Sequence, residues 1–285
     1  MGSVTQSETA SQTKRVLIAE DDVTLATSLA KLVEQAGFET STAFNGKEAL
    51  EELERQRYDL LVLDIRMPVM DGFEVMERLQ RNTRPPKVIV ITADTTQETV
   101  LQAMKEQVYQ FVPKPFSLRA LVQLVGSALH ENVPPIEVVS AKPHWVELLV
   151  PCHRETVERI TAFMGQIKGD LPQEVREAVG QAFREMLLNA VEWGGRFDPT
   201  RRVRIAYLHA NKMLMYRIAD PGAGFTFKEL EHAAVAHPGD PIAHMRIREE
   251  KGLRPGGFGI LLASSIVDEL IYNEKHNEVV LIKYL

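Results

Sequence analysis

Cysteine is nearly missing from this chain of 285 residues; its single thiol, Cys152, excludes a disulfide framework and a cysteine-based zinc cluster. Long apolar runs are missing too. None approaches the roughly 20 residues that span a bilayer. The polar start MGSVTQSETASQT lacks the apolar segment of a signal peptide. Basic excess is also absent: the net charge is −6 with no basic tail, which argues against a general binder of nucleic acid or of an anionic membrane. A reducing cytosol is the expected location. What is present, 45% apolar and 25% charged residues, is the composition of a soluble globular protein, and the length predicts two domains.

Residues 1–13 are polar and aperiodic and read as a disordered leader. Over 14–131 short apolar runs alternate with helical patterns: Val16–Ala19 before Leu25–Ala36, Leu60–Leu63 before Phe73–Leu79, Val88–Ile91 before Val100–Met104, and Tyr109–Val112 before Leu118–Leu129. Apolar strands separated by amphipathic helices predict a doubly wound α/β domain with its ligand site at the carboxyl ends of the strands. Pro134, Pro135 and Pro143 mark 132–143 as a semi-rigid linker. Over 144–285 a strand at His144–Val150 precedes helices at Glu155–Ile167 and Pro172–Val191 and strands at Val203–His209 and Met213–Ala219. An irregular region runs from Asp220 to Gly257, then a helix at Gly259–Leu270 and a closing hairpin. That order predicts an α/β sandwich with helices on one face of a mixed sheet.

Glu20, Asp21 and Asp22 follow the first strand, Asp64 ends the third, Thr92 the fourth, and Lys114 follows the fifth. Adjacent strand ends bring these groups into one crevice, where crowded carboxylates suit a divalent cation such as Mg²⁺ and the ammonium and hydroxyl suit a phosphoryl group. Any one acidic residue there would equally serve as a helix N-cap, Asp22 above all. The stretches VLIAEDD, LVLDIRMPVMDG, VIVITAD and FVPKPF resemble the receiver domain of two-component response regulators, with 28 residues from Asp64 to Thr92 and 22 from Thr92 to Lys114. The resemblance implies a five-stranded parallel sheet and Asp64 as phosphoacceptor. It also implies Glu20, Asp21 and the Arg66 carbonyl as metal ligands beside Asp64, Thr92 as switch hydroxyl, Phe111 as switch aromatic, and Lys114 before a cis Pro115.

In the second half, Glu185 and Asn189 lie four apart on one helix face, a spacing that a solvated surface also allows. Asp220-Pro221-Gly222-Ala223-Gly224 follows a strand, and Arg254-Pro255-Gly256-Gly257-Phe258-Gly259 opens a helix, where glycines let backbone N–H groups approach a phosphate. The set EMLLNA, DPGAGF and RPGGFGI resembles the ATP-binding domain shared by gyrase, Hsp90-type chaperones, histidine kinases and MutL-like proteins, and within it the anti-sigma serine-kinase branch. That resemblance implies Asn189 as Mg²⁺ ligand and Glu185 as general base. It implies that Asp220 accepts from the adenine amino group beside Gly222 and Gly224. Arg254, Gly256, Gly257, Phe258 and Gly259 become the phosphate loop, and Thr226–Leu253 the lid. Trp193 stands where that branch carries a histidine; it reads as a packing residue and favours nucleotide binding without transfer, whereas retention of Glu185 and Asn189 favours an enzyme.

Together these resemblances predict a response regulator whose phosphorylation at Asp64 controls an ATP-dependent serine/threonine protein kinase. A non-catalytic, ATP-dependent partner-binding switch is the alternative. The implied partners are an upstream histidine kinase or phosphotransfer protein and a target such as an anti-sigma antagonist or sigma factor. Homodimerisation is a family-level expectation; neither nucleic acid nor membrane is an expected partner.

Overall fold

The computed structural model describes residues 13–130, 133–167, 171–210, 212–226, 233–234, 243–250 and 257–285. The leader through residue 12, Arg254, Gly256 and most of the expected lid lie outside them. The chain divides into two compact units, one within Met1–Asp94 plus Val108–Glu131, the other within Thr95–Gln107 plus Asn132–Leu285.

The first sheet has the order β2-β1-β3-β4-β5, parallel throughout. Its strands are β1 (Arg15–Ala19), β2 (Glu39–Ala43), β3 (Leu60–Asp64), β4 (Lys87–Thr92) and β5 (Gln110–Pro113). The helices between and after them are α1 (Val23–Gln35), α2 (Gly46–Arg55), α3 (Gly72–Leu79), α4 (Gln97–Lys105) and α5 (Leu118–His130). β2 and α2 had no counterpart in the apolar pattern, because ETSTA is a polar edge strand that shows the core only Ala43 among its fully buried residues. β3 is buried at every position, as a central strand covered on both faces must be. Asp22 caps α1, accepting from the N–H groups of Thr24 and Leu25 at 2.9 and 3.0 Å, so the capping reading holds for it.

The second sheet has the order β10-β11-β9-β8-β7-β6. Its strands are β6 (Glu137–Lys142), β7 (Trp145–Pro151), β8 (Arg202–Ala210), β9 (Met213–Ala219), β10 (Glu269–Tyr272) and β11 (Glu278–Tyr284). The helices are α6 (Arg154–Ile167), α7 (Gln173–Asn189), α8 (Ala243–Glu250) and α9 (Gly259–Ile266). Three readings are corrected here. The stretch read as a linker contains β6, whose half-buried alternation is visible in EVVSAK once its partner β7 is known. The last helix stops at Ile266, and Glu269–Leu270 belong to the hairpin instead. The sheet is antiparallel at every pairing, not mixed. The reason is that two helices separate β7 from β8 and return the chain to the same end, whereas a single crossover helix would have made the pair parallel.

α7 covers the sheet face that carries Tyr207 and Tyr216. The Phe183 ring of α7 lies 4.6 Å from that of Tyr216, itself 5.2 Å from Tyr207, and all three are buried. Burying an aromatic side chain of this size removes on the order of 150–250 Å² of surface from water, so this stack anchors the helix layer on the sheet.

Candidate functional site

In the first unit, β1 and β3 are neighbours, so residues leaving their carboxyl ends share one crevice. Lys114 follows β5 through a cis bond to Pro115 and reaches the same point. Its Nζ donates to Asp64 Oδ2 at 2.6 Å and to Glu20 Oε1 at 2.8 Å. Glu20 is only 1% exposed and Asp64 3%, while Asp21 faces solvent. Burial raises the pKa of Glu20, the bond from Lys114 works against that rise, and the charge of Asp64 adds to it. Burial also opposes the charge of Lys114, yet its bonds to Asp64 and Glu20 win and hold its pKa above the ordinary value.

Glu20, Asp21 and Asp64 each offer an oxygen, and these lie within 4.8 Å of one another. Three hard oxygen donors, two of them buried and repelling, fit a small divalent cation. The Arg66 N–H donates to Asp64 Oδ1 at 3.0 Å, and the Arg66 guanidinium pairs with Asp94. Thr92 is fully buried and accepts from the Asp94 N–H at 3.1 Å; Phe111 is buried opposite Val90 in the register of β4 and β5, two positions before the pair Thr92–Pro113.

In the second unit, a cavity of about 710 Å³ is lined by Glu185, Asn189, Asp220, Gly222, Gly224, Gly257, Phe258 and Gly259. Every predicted nucleotide residue among those described therefore reaches one space. Gly259 begins α9 directly against Glu185. A Cβ there would sit 2.9 Å from Glu185 Oε2 and 3.3 Å from Asn189 Nδ2, so only glycine lets the positive end of the helix come this close. Gly224 has φ +87° and faces the Lys275 carbonyl, a position that no side chain could share.

Asp220 accepts from the Gly222 N–H at 2.7 Å, and its own N–H donates to the Asn277 carbonyl at 2.9 Å. Burial raises its pKa above the ordinary value, and the Gly222 bond and Arg201 only partly counter this. Tyr272, behind it, has its phenol pushed up to about 12, by burial first and then by Asp220.

Several lining residues escaped the sequence reading. Trp193 is not a packing residue: it is 44% exposed and lines the cavity. Its position follows from a π-helical turn over Ala190–Gly194, which continues α7 past Asn189 with one extra residue in the turn. Gly194 touches the Asp220 carboxylate, and Arg196 and Arg201 add positive charge to the lining. Cys152 packs under Gly195, and burial pushes its thiol up to about 11, so it is a structural thiol.

Residues 16–126 match the response regulator receiver domain, and residues 151–283 match the histidine kinase-like ATPase domain. The DNA-binding response regulator MtrA of Mycolicibacterium smegmatis is 29% identical over 210 residues, which is 73% of this chain and 90% of that protein. The transcriptional regulatory protein CrdR of Helicobacter pylori is 33% identical over 127 residues, 44% of this chain and 59% of that one. The receiver domain structure of Francisella response regulator 1452 is 31% identical and covers 41% of this chain and 96% of its own, with a TM-score of 0.39. A response regulator receiver domain followed by a histidine kinase-like ATPase domain is thus what this chain comprises.

Proposed function

We propose that phosphorylation of Asp64 controls an ATP-binding, anti-sigma-type serine/threonine protein kinase in the second unit. The observation that carries this reading is that Glu185, Asn189, Asp220 and the start of α9 line one 710 Å³ cavity. Asp64 attacks the phosphorus of an upstream phosphohistidine, and the P–N bond breaks. Lys114 stays with the oxygens, and Glu20, Asp21, Asp64 and the Arg66 carbonyl would hold Mg²⁺. When bound, that ion neutralises the phosphoryl charge. Thr92 turns its hydroxyl toward the new group, and Phe111 follows. The end of β5 leads through α5 into the segment before β6, which gives the change a covalent route to the output unit.

In the cavity, Asp220 receives the adenine amino group and Gly257–Gly259 offer backbone N–H groups to the phosphates. Asn189 would hold a second Mg²⁺, which would neutralise charge on the ATP phosphates. Glu185 takes the proton of a serine or threonine hydroxyl on the target, which attacks the γ-phosphorus as the bond to ADP breaks. The target is a protein such as an anti-sigma antagonist, and the setting is cytoplasmic. Trp193, in the place of a histidine and exposed in the cavity, favours a second reading, an ATP-dependent binding switch without transfer.

Calorimetric titration of the full chain with Mg-ATP, before and after treatment with phosphoramidate, tests the proposal. Saturable binding that needs Mg²⁺ and shifts on phosphorylation is expected, with the shift lost in Asp64→Asn. No binding at millimolar ATP in either state would overturn it. Glu185→Gln then separates the two readings. If partner control survives in that variant, the switch is right.

A further inference from the structure

Arg184 and Glu185 are consecutive on α7, where successive side chains diverge by about 100° and do not ordinarily face each other. Here Arg184 Nη1 nevertheless lies 3.6 Å from Glu185 Oε1. The cause sits on α6. Glu158 takes one edge of the guanidinium: Nε donates to its Oε2 at 3.2 Å, and Nη2 donates to its Oε1. A planar guanidinium gripped along one edge has a fixed direction for its remaining nitrogen, which a lysine ammonium would not have.

Partly exposed ion pairs between helices contribute little to stability, and adhesion of α6 to α7 is enough to account for Arg184 with Glu158. It does not account for the second carboxylate. Glu185 lines the nucleotide cavity, and its Oε2 lies at the start of α9, 2.9 Å from where a Cβ on Gly259 would stand. Its two oxygens therefore face two sources of positive charge, the guanidinium and the first turn of a helix. The bond to Glu158 first, then the charges of Glu158 and Glu185, hold the pKa of Arg184 above its ordinary value against the effect of burial.

We propose that Arg184 is a positioning residue for Glu185: it holds Oε1, leaves Oε2 to the start of α9, and offsets the carboxylate charge so that a γ-phosphoryl group can approach. The inference rests on the reading of the cavity as a site for ATP. Two anions a few ångströms apart repel strongly in a space shielded from bulk water. ADP lacks the γ-phosphoryl group and meets less of that repulsion. Arg184 therefore acts on the choice between ATP and ADP more than on nucleotide affinity at large, from a place behind the residues that line the cavity.

Calorimetric titration of the full chain with Mg-ATP and with Mg-ADP tests this. In Arg184→Gln the Kd for Mg-ATP should rise about tenfold and that for Mg-ADP about twofold at most, a shift of about fivefold toward ADP. Adding Glu185→Gln should bring the ratio of the two affinities back to the wild-type value, which a merely structural role of Arg184 would not do. If Arg184→Gln fails to fold, Glu185→Gln alone decides, because the unopposed cation should shift the ratio about threefold or more toward ATP. A folded Arg184→Gln with the wild-type ratio, a double variant that does not recover it, or, where the first variant does not fold, an unchanged ratio in Glu185→Gln would each overturn the proposal while leaving ATP binding in place. A wild type that binds no ATP at millimolar concentration would overturn the reading of the cavity, and this inference with it.

Discussion

Asp220→Asn should change base recognition and stability in opposite directions. The carboxylate is half-buried and its pKa is raised by that burial, so its charge costs the folded apo protein something at neutral pH. Asparagine removes the charge and keeps an oxygen for the Gly222 N–H that Asp220 accepts at 2.7 Å. The melting temperature should therefore hold or rise. ATP affinity should fall. A charge-assisted bond is roughly twice as strong as a neutral one, and the difference of about 1.4 kcal/mol corresponds to about tenfold in Kd. GTP behaves differently, because guanine presents a carbonyl where adenine presents an amino group. The wild-type carboxylate repels it, and the variant amide can donate to it, so discrimination between the two nucleotides should shrink by more than the loss of ATP affinity alone.

pH adds an independent check. A carboxyl raised in the folded state binds its proton more tightly than in the unfolded chain, so its cost is present above the raised value and disappears as pH falls through it toward 3.8. ATP binding should move the other way, weakening on acidification at a pH higher than an ordinary aspartate would give. Calorimetry with both nucleotides, alongside thermal melts from neutral to acid pH, measures all of this. Unchanged ATP affinity with wild-type discrimination would refute the assignment of Asp220 to the base.

The remaining expectations follow from single contacts. Lys114→Ala strips the one ammonium that pairs, among the described residues, with two carboxylates 1% and 4% exposed at the side chain, and should cost about 3 kcal/mol in urea unfolding, partly recovered by Mg²⁺. An unchanged midpoint would mean that water already screens the cluster. Gly224→Ala combines φ +87° with a Cβ position 1.7 Å from the Lys275 carbonyl and should lose at least ~2 kcal/mol of stability in thermal melts. Gly165→Ala in α6, with nothing within 4 Å of the added methyl, should gain about 0.5–1 kcal/mol in the same assay. Of the two tryptophans, Trp193 should report nucleotide through its fluorescence, so Trp193→Phe should abolish the ATP response and Trp145→Phe should preserve it.

The first domain was legible because its chemistry sits where strands end. Apolar runs mark β1, β3, β4 and β5, and the first or second residue after each run is forced to the same edge of a parallel sheet, so Glu20, Asp64, Thr92 and Lys114 could be brought together from sequence order alone. β2 was not legible, since an edge strand with a polar outer side needs no apolar run. In the second domain Glu185 and Asn189 share a helix face at a spacing that a solvated surface also permits. Only the return of Asp220 from β9 and Gly259 from α9 to that face makes them a site.

What stayed hidden there depends on backbone geometry without a residue signature. The π-helical turn after Asn189 rotates the chain so that Trp193 opens into the cavity and Gly194 abuts Asp220. A continued α-helix would advance about 100° per residue and place Trp193, four residues on from Asn189, over the same stripe as its neighbours in the core. Read only as the replacement of a histidine just past the helix pattern, Trp193 passes for a packing residue, because no residue marks the π-helical turn.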